Sequence, residues 1–444
     1  MSILFWLTPF IFMFFIMVFK LKLRDHYLFY FFTLAYSALF FIIPAIKYGE
    51  VNFRGINLAS SSLPSIYDTE IIFNIYLFQT IFYILTFSGY LIIKDKGKVN
   101  RLYEISENEK YNINKLMLYC TCLSLIGSVG VVISSGMSLS QLLNSGRFNF
   151  WETRSVVSSL IFNYLQTLLA IPAFLYMSIK PKKSLKLFML FTLIVLFYIE
   201  MIIFGTRMSL IFVGTAFLLG VLNYYRSNNL EIKKVRLFGI TVLLLHLFVM
   251  WQHIRYNMRD YNSVSDWISG LSSVKDAYTL SINQGDLSYF FEAGATAIHY
   301  IPLLHDYLYG ASYLRVLLFF IPSSIFPYKP EETQRVFASI INPNQYNIGA
   351  TFPPSVIGDS YINFGVYGVL VGLFVGIFLK ISQNILNRPH SINKIVIGSS
   401  VIGFLILFLR GTFNGMYNMI FIWIFIYIFS ILFAKKSNDK KRLS

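Results

Sequence analysis

The fold is decided by a stretch that contains the runs QHIRYNMRD (residues 252–260) and IPSSIFPYKP (residues 321–330). Both runs lie in the segment from Gln252 to Pro354, which has no apolar run long enough to cross a bilayer. The sequence on either side of this segment is a series of apolar runs. The pattern predicts a polytopic membrane protein with one large polar loop.

The composition supports this interpretation. Apolar residues make up 56% of the chain and charged residues 13%, whereas a soluble domain has about 25% charged residues. The net charge of +16 is spread along the chain, which favours a membrane over nucleic acid as partner. Cys120 and Cys122 lie two apart in an apolar run and face different sides of a helix, which argues against a disulfide or a zinc site.

A spanning helix needs roughly 20 mostly apolar residues, and helices are expected because backbone groups in lipid must bond within their own segment. We therefore predict an all-α protein with about eleven transmembrane helices. Eight lie in residues 1–251, an extracytoplasmic loop follows over 252–354, and three more helices and a basic cytoplasmic tail occupy 355–444. The spans are 3–19, 27–46, 71–93, 115–134, 156–179, 187–204, 208–224, 237–251, 355–379, 395–410 and 415–433.

The distribution of Lys and Arg predicts the orientation, because cytoplasmic connections carry an excess of both. Of the 37 cations, 25 lie in connections that fall on one side of the membrane for all eleven spans. This places the N-terminus outside and the C-terminus in the cytoplasm. The cation-rich connections are 20–24, 94–115, 180–186, 226–236, 380–394 and 435–442.

The cations predicted to lie outside are mostly Arg, although topology requires positive charge only inside. Arg grips phosphate or carboxylate with a rigid fork of donors, so this bias indicates an anionic ligand on the outer face. Salt bridges within the loop explain any single Arg equally well. The candidate phosphate-binding residues are Arg207, Arg255, Arg259, Arg315, Lys329 and Arg410.

Arg207 belongs to a tight turn between the sixth and seventh spans, seven residues after Glu200. A charged side chain at this depth in the membrane must extend to water, form an ion pair or bind a ligand. Arg207 either neutralises Glu200 or holds a phosphate. In the second case Glu200 supports Arg207 from behind. Arg255 and Arg259 are four apart and share a helix face if the eighth helix continues outward, which suits a pyrophosphate.

Asp359 is the first candidate for a general base. It lies near the outer end of the ninth span, and a carboxylate in a partly dry site has a raised proton affinity. The alternative is an acid favoured by the helix dipole at an N-terminus. Asp286 and His253 are reserve candidates. His299, His305 and Asp306 match no strong metal-ligand motif, so we predict neither a metal nor a cofactor.

The order of several short runs resembles that of the Wzy-type oligosaccharide repeat-unit polymerases of bacterial O-antigen and capsule assembly. The matching runs are GTR (205–207), GASY (310–313), IPSSIFPYKP (321–330) and GDSYINFGVYG (358–368). Two positions depart from the family's usual pattern: Ser323 stands where Arg often follows the Ile-Pro pair, and Asp359 stands where Glu is common.

The resemblance implies a GT-C-like membrane glycosyltransferase that needs no metal. It would transfer a growing glycan from undecaprenyl pyrophosphate to a new lipid-linked repeat unit, with inversion, at the outer face of the cytoplasmic membrane. The implied partners are this lipid-linked oligosaccharide, membrane lipid, and a chain-length regulator and flippase of the same pathway. Independently, a departing pyrophosphate needs fixed cations, which the outer Arg residues supply.

Two other functions remain open at this point. An O-antigen ligase would use the same donor but transfer the glycan to the lipid A core. A transporter or flippase of lipid-linked oligosaccharide belongs to another class, for which more polar residues within the spans and no large outer loop are expected. The polar segment from Gln252 to Pro354 favours an enzyme over a transporter.

Overall fold

The structure is a computed structural model of the chain. It describes residues 3–22, 25–48, 58–60, 63–66, 69–95, 107–134, 156–203, 208–228, 286–318, 321, 325–347, 351–388, 392–413 and 415–442. Within these ranges the backbone is helical apart from turns and one short antiparallel hairpin, which pairs Leu58 with Ile66 and Ser60 with Leu63. The hairpin was not predicted from the sequence.

Two helices of the first half continue into π-helical turns. One turn, Ala38–Ile42, links the helix that ends at Ser37 to the helix that begins at Ile43, and the other, Tyr198–Ile203, extends the helix that ends at Phe197. The elements are α1 Ile3–Lys20, α2 Tyr27–Ser37, α3 Ile43–Tyr48, β1 Leu58–Ser60, β2 Leu63–Ile66, α4 Thr69–Ile92, α5 Glu107–Ser134, α6 Val156–Thr167, α7 Ala170–Ile179, α8 Lys183–Phe197 and α9 Met208–Ser227.

The second half contains the segment predicted as a loop, and much of its described part is helical. A 3-10 turn, Gly365–Leu370, joins α14 to α15. The elements are α10 Asp286–Leu304, α11 Ala311–Leu314, α12 Thr333–Ile341, α13 Pro343–Asn347, α14 Ser355–Phe364, α15 Val371–Leu386, α16 Ile392–Leu409 and α17 Gly415–Arg442.

Seven stretches of the described chain are helical, long and apolar enough to cross a membrane, and each overlaps a predicted span. They are Tyr27–Tyr48, Glu70–Ile92, Lys110–Ser134, Ile161–Ile179, Met208–Arg226, Ser355–Leu386 and Ile392–Leu409. The prediction of a helical, multi-pass membrane protein is confirmed. Of the other predicted spans, 3–19, 187–204 and 415–433 lie largely on helices and 237–251 lies outside the described residues, so the count of eleven stays a prediction.

The chain forms two compact units that alternate along the sequence. The first unit contains Met1–Asp95, Lys233–Gln383 and Ile406–Asn414, and the second contains Lys96–Ile232, Asn384–Leu405 and Gly415–Ser444. The predicted division at residues 251 and 354 follows chain order instead. That division stays a prediction.

Helices α4 and α15 of the first unit cross in backbone contact. A Cβ atom at Gly372 would overlap the carbonyl oxygen of Phe82, and one at Gly376 would overlap that of Thr86. The two glycines are four apart, the spacing that lets membrane helices approach closely. Because lipid offers no hydrophobic drive for association, this van der Waals contact stabilises the pair.

One end of the first unit brings together residues that lie in or beside three connections that were predicted to face the cytoplasm. Nζ of Lys380 lies 2.5 Å from Oδ1 of Asp95. The backbone N–H of Leu28 donates to the side-chain oxygen of Gln383 over 2.9 Å. These contacts join predicted spans 2, 3 and 9 at one end. The side of the membrane on which this end lies stays a prediction.

In the second unit, Glu200 is buried and accepts hydrogen bonds from the backbone N–H groups of Ser209 and Leu210 at 3.2 and 3.4 Å. Its carboxylate thus satisfies donors that the first turn of α9 leaves unpaired. This role was not predicted. Arg207, its proposed partner, lies outside the described residues.

Candidate active site

The candidate site is built around Asp359, which lies on α14 and has a relative exposure of 1%. The hydroxyl of Tyr313, on the short helix α11, donates a hydrogen bond of 2.6 Å to Oδ2 of this carboxylate. Oδ1 is buried and has no hydrogen-bond partner among the residues that the structure describes, although Thr333 lies next to the carboxyl group. Oδ2 is therefore held by Tyr313, and Thr333 is a second side chain that interacts with this carboxyl group.

Helix α11 is fastened to α14 beside this contact. The hydroxyl of Ser312 donates to the side-chain oxygen of Asn363 over 2.7 Å, and the amide of Asn363 donates to the backbone carbonyl of Asp359 over 2.9 Å. The ring of Tyr313 packs against Phe413, with centroids 4.7 Å apart. These contacts bring residues about 50 positions apart in the chain into one rigid group.

A close backbone approach places the end of α16 against the start of α14. The N–H of Ser355 donates to the carbonyl of Arg410 over 3.1 Å. Gly411 has a φ of +80°, and a Cβ there would press on the backbone of Ser355. Ser355 itself has a φ of +62°, a conformation that is uncommon for a residue with a side chain. Such strain persists only where the surroundings impose it, and it is concentrated at functional sites.

A small cavity of about 10 Å³ lies beside the carboxylate. This volume holds about one water molecule. One wall residue, Glu332, has a side-chain exposure of 22%, so one end of the cavity lies near the surface. The lining residues are Ser312, Glu332, Thr333, Gln334, Asp359, Gly411 and Phe413.

The position of Asp359 does not fit the alternative explanation, in which the helix dipole favours an acid at a helix N-terminus. Asp359 is the fifth residue of α14 and lies beyond its first turn, whereas the effect of the helix dipole falls off within that turn. No cation forms an ion pair with Asp359 in the described part of the chain. Burial and the adjacent carboxylate raise the pKa of Tyr313 well above its usual range, so its hydroxyl stays protonated and donates.

Three of the predicted phosphate-binding cations, those that the structure describes, lie in the same unit as this site. Arg315 donates to the carbonyl of Pro330 over 2.5 Å and pairs with Glu332 at 3.1 Å. Lys329 is near enough to Arg315 that burial and this second cation lower the pKa of the lysine. Arg410 is exposed at the end of α16, next to Gly411 in the cavity wall.

The other candidates are placed elsewhere or are not described. Asp286 is the first residue of α10, and its role as a reserve base stays a prediction. His253, Arg207, Arg255 and Arg259 lie outside the described residues. Their roles stay predictions.

Sequence reasoning missed the role of Tyr313, Thr333 and Phe413 in the site. The run GASY (310–313) was noted for its resemblance, but no local signal links its tyrosine to Asp359. The sequence by itself gives no signal that Gly411 belongs to the site. Contacts between residues this far apart in the chain are set by packing, which a single sequence does not display.

Comparison with known proteins decides the family. Residues 1–438 match the profile of the family described as O-antigen polysaccharide polymerase Wzy. The chain belongs to this Wzy family. No curated protein and no solved structure matches the chain.

The match confirms the resemblance drawn from the short runs, and it covers nearly the whole chain. As a Wzy family member, the protein is a multi-pass protein of the inner membrane and a glycosyltransferase-type polymerase. Its substrate class is a lipid-linked oligosaccharide repeat unit.

Proposed function

We propose that the protein polymerises undecaprenyl-pyrophosphate-linked repeat units by inverting glycosyl transfer at the outer face of the cytoplasmic membrane. The observation that carries this proposal is the buried Asp359 carboxylate, which lines a cavity and has one oxygen without a partner in the described chain. An unpaired buried carboxylate costs several kcal/mol. A group retained at such a cost is a candidate for function.

In the proposed reaction, Asp359 acts as the general base. A hydroxyl oxygen of the acceptor sugar attacks the anomeric carbon of the donor glycan while Asp359 takes the hydroxyl proton. The bond from the anomeric carbon to the phosphate oxygen breaks, and the pyrophosphate leaves with the electron pair. Attack from the face opposite the leaving group inverts the anomeric centre. Asp359 then returns the proton to water.

Cations stabilise the departing pyrophosphate in this scheme, so the reaction needs no metal ion. Arg315 and Lys329 lie close together near the cavity wall, and Arg410 adjoins that wall at Gly411. Arg315 already pairs with Glu332, so we assign it to shaping the 326–332 turn as well as to binding phosphate. Arg207, Arg255 and Arg259 are proposed to complete the set.

We further propose eleven spans, with segment 252–354 outside, a GT-C-like architecture, and the orientation predicted from the cations. The contacts of Lys380 with Asp95 and of Leu28 with Gln383 support a common inner side for three connections. At the predicted outer end, Lys47 contacts Glu292, and Ser355 contacts Arg410. A glycan assembled outside needs its base and cations on that side.

The central experiment mixes purified protein with lipid-linked repeat units and separates the products on a gel. We expect a ladder of longer glycans that remain on the lipid carrier. Asp359→Asn should lower the rate about 10²-fold to 10⁴-fold, as expected for loss of a general base, without loss of donor binding. Asp306→Asn is the matched control, because Asp306 is an exposed acid of the same segment and should be as active as wild type. An active Asp359→Asn variant rules out this base.

The phosphate-binding role is tested separately with Arg207→Ala and Arg255→Ala. Each variant should insert normally and leave single repeat units unpolymerised, since the departing charge would lose a fixed cation. Wild-type chain lengths in both variants would remove these arginines from the proposal while leaving Asp359 untouched.

A further inference from the structure

We propose that the cavity beside Asp359 is a subsite for a single hydroxyl group of the acceptor sugar, and that Tyr313 is the positioning residue that turns the carboxylate toward it. This inference rests on the proposed function, because it names the part of the acceptor that the same site receives. It goes beyond that function by separating the roles of the two carboxylate oxygens and by assigning a role to Tyr313.

The two oxygens of Asp359 have different surroundings. Oδ2 accepts the 2.6 Å hydrogen bond from Tyr313, and Oδ1 is the buried atom that lacks a partner in the described chain. A carboxylate without such a tether would rotate and present either oxygen. The tether therefore leaves Oδ1 as the proton acceptor. Asp359 lines the cavity, and binding of the acceptor must bring its hydroxyl into contact with this buried oxygen.

The size of the cavity limits what enters it. About 10 Å³ accommodates one water-sized group, so a hydroxyl fits and a sugar ring does not. The side chains of Thr333 and Gln334 lie in the same wall, and Thr333 also interacts with the carboxyl group of Asp359. An entering oxygen therefore meets polar groups on this side. The acceptor ring must then stay at the open end, on the side of the partly exposed Glu332.

This arrangement has a consequence for the competition between transfer and hydrolysis. When the acceptor hydroxyl fills the cavity, it passes its proton to Oδ1 as its oxygen bonds to the anomeric carbon and the pyrophosphate leaves. The same hydroxyl then occupies the space that a water molecule would need to attack instead. A cavity of this size thus favours polymer growth over loss of the donor to water.

Tyr313 is held firmly enough to act as a tether. Its ring packs on Phe413 at 4.7 Å and on Phe364 at 5.8 Å between centroids. Ser312, the preceding residue, is bonded to Asn363 on the helix that carries Asp359. Because the hydroxyl of Tyr313 remains protonated, it donates to the carboxylate of Asp359 throughout the working pH range of the enzyme.

The test compares Tyr313→Phe with Tyr307→Phe in the purified polymerase, with lipid-linked repeat units as substrate. Tyr313→Phe retains the ring and removes the donor, so kcat should fall about tenfold to a hundredfold, the value of a hydrogen bond to a charged group, with KM nearly unchanged. Tyr307→Phe is the matched control, because its hydroxyl meets Tyr361 rather than Asp359, and it should match wild type. A wild-type kcat in Tyr313→Phe overturns the assignment.

If Tyr313→Phe does not yield folded protein, Thr333→Val decides the question. This change keeps the volume of the cavity and removes a hydroxyl from its wall, so kcat/KM should fall severalfold; an unchanged kcat/KM overturns the subsite. Failure of the proposed function is recognised separately. If Asp359→Asn polymerises normally, the base itself is wrong. If Asp359→Asn is inactive while Tyr313→Phe and Thr333→Val have normal activity, the proposed subsite is ruled out and the proposed base is retained.

Discussion

Nζ of Lys47 lies 2.5 Å from Oε1 of Glu292, and the two side chains have relative exposures of 12% and 2%. The hydroxyl of Tyr48 donates to the same carboxylate oxygen over 2.6 Å. This buried group fastens α3, at the end of the second predicted span, to α10 in the segment predicted as a loop. Within the first unit, a charge pair therefore joins α10 to the end of the second predicted span.

The first prediction concerns this ion pair. Lys47→Met leaves the Glu292 charge buried without its partner, so it should destabilise the folded protein by about 3–5 kcal/mol. The double variant Lys47→Met/Glu292→Leu removes both charges and should recover most of that loss. Thermal unfolding of the purified protein in detergent measures both effects. Lys22→Met, at an exposed lysine, is the control, and a stable Lys47→Met would contradict the prediction.

The second prediction concerns the crossing of α4 and α15. Gly376→Ala forces a methyl group against the backbone of Thr86, and overpacking of this kind costs about 1–3 kcal/mol. We expect a lower thermal midpoint and less monodisperse protein on size-exclusion chromatography. Gly214→Ala is the matched control, since a Cβ at Gly214 has no atom within 4 Å. Equal stability of the two variants would show that the helices do not cross here.

The third prediction is a pH dependence that originates at Lys329. Burial and the neighbouring Arg315 lower the pKa of Lys329, so this lysine loses its charge at a lower pH than an exposed lysine does. If it binds the pyrophosphate, kcat/KM, which reports the free enzyme, should fall as the pH rises through that lowered pKa. Lys329→Arg stays charged and should lose this alkaline limb. An identical limb in wild type and variant would assign it to another group.

The fourth prediction concerns the orientation. Tyr328 has a relative exposure of 88% and lies in the segment placed outside, whereas Lys94 is exposed in a connection placed inside. In a background with Cys120 and Cys122 replaced by Ala, a membrane-impermeant maleimide added to spheroplasts should label Tyr328→Cys and spare Lys94→Cys until the membrane is opened. The reverse pattern would place the candidate site in the cytoplasm and end the proposed function.

The candidate site shows how far sequence reasoning reached. The sequence predicts Asp359 as the base because it lies near the outer end of the ninth span, where a partly dry site raises the proton affinity of a carboxylate, and the structure has it buried beside a cavity. Arg315 was selected as a phosphate ligand, but the structure pairs it with Glu332, seventeen positions later in the chain. The charge of a residue and its depth in the membrane can be predicted from the local sequence. The partner of a charged residue cannot, because it depends on which turns of the chain come together in the folded protein.

The sequence by itself determined that this is a multi-pass membrane protein and where most of its helices run. Transfer into lipid depends on the composition of some twenty consecutive residues, so each span is a local property. Only the tertiary structure decided that Tyr313 holds one oxygen of Asp359 while the other is buried without a partner in the described chain. That arrangement depends on the meeting of α11, α12, α14 and the end of α16, which is a property of the packed chain rather than of any one stretch.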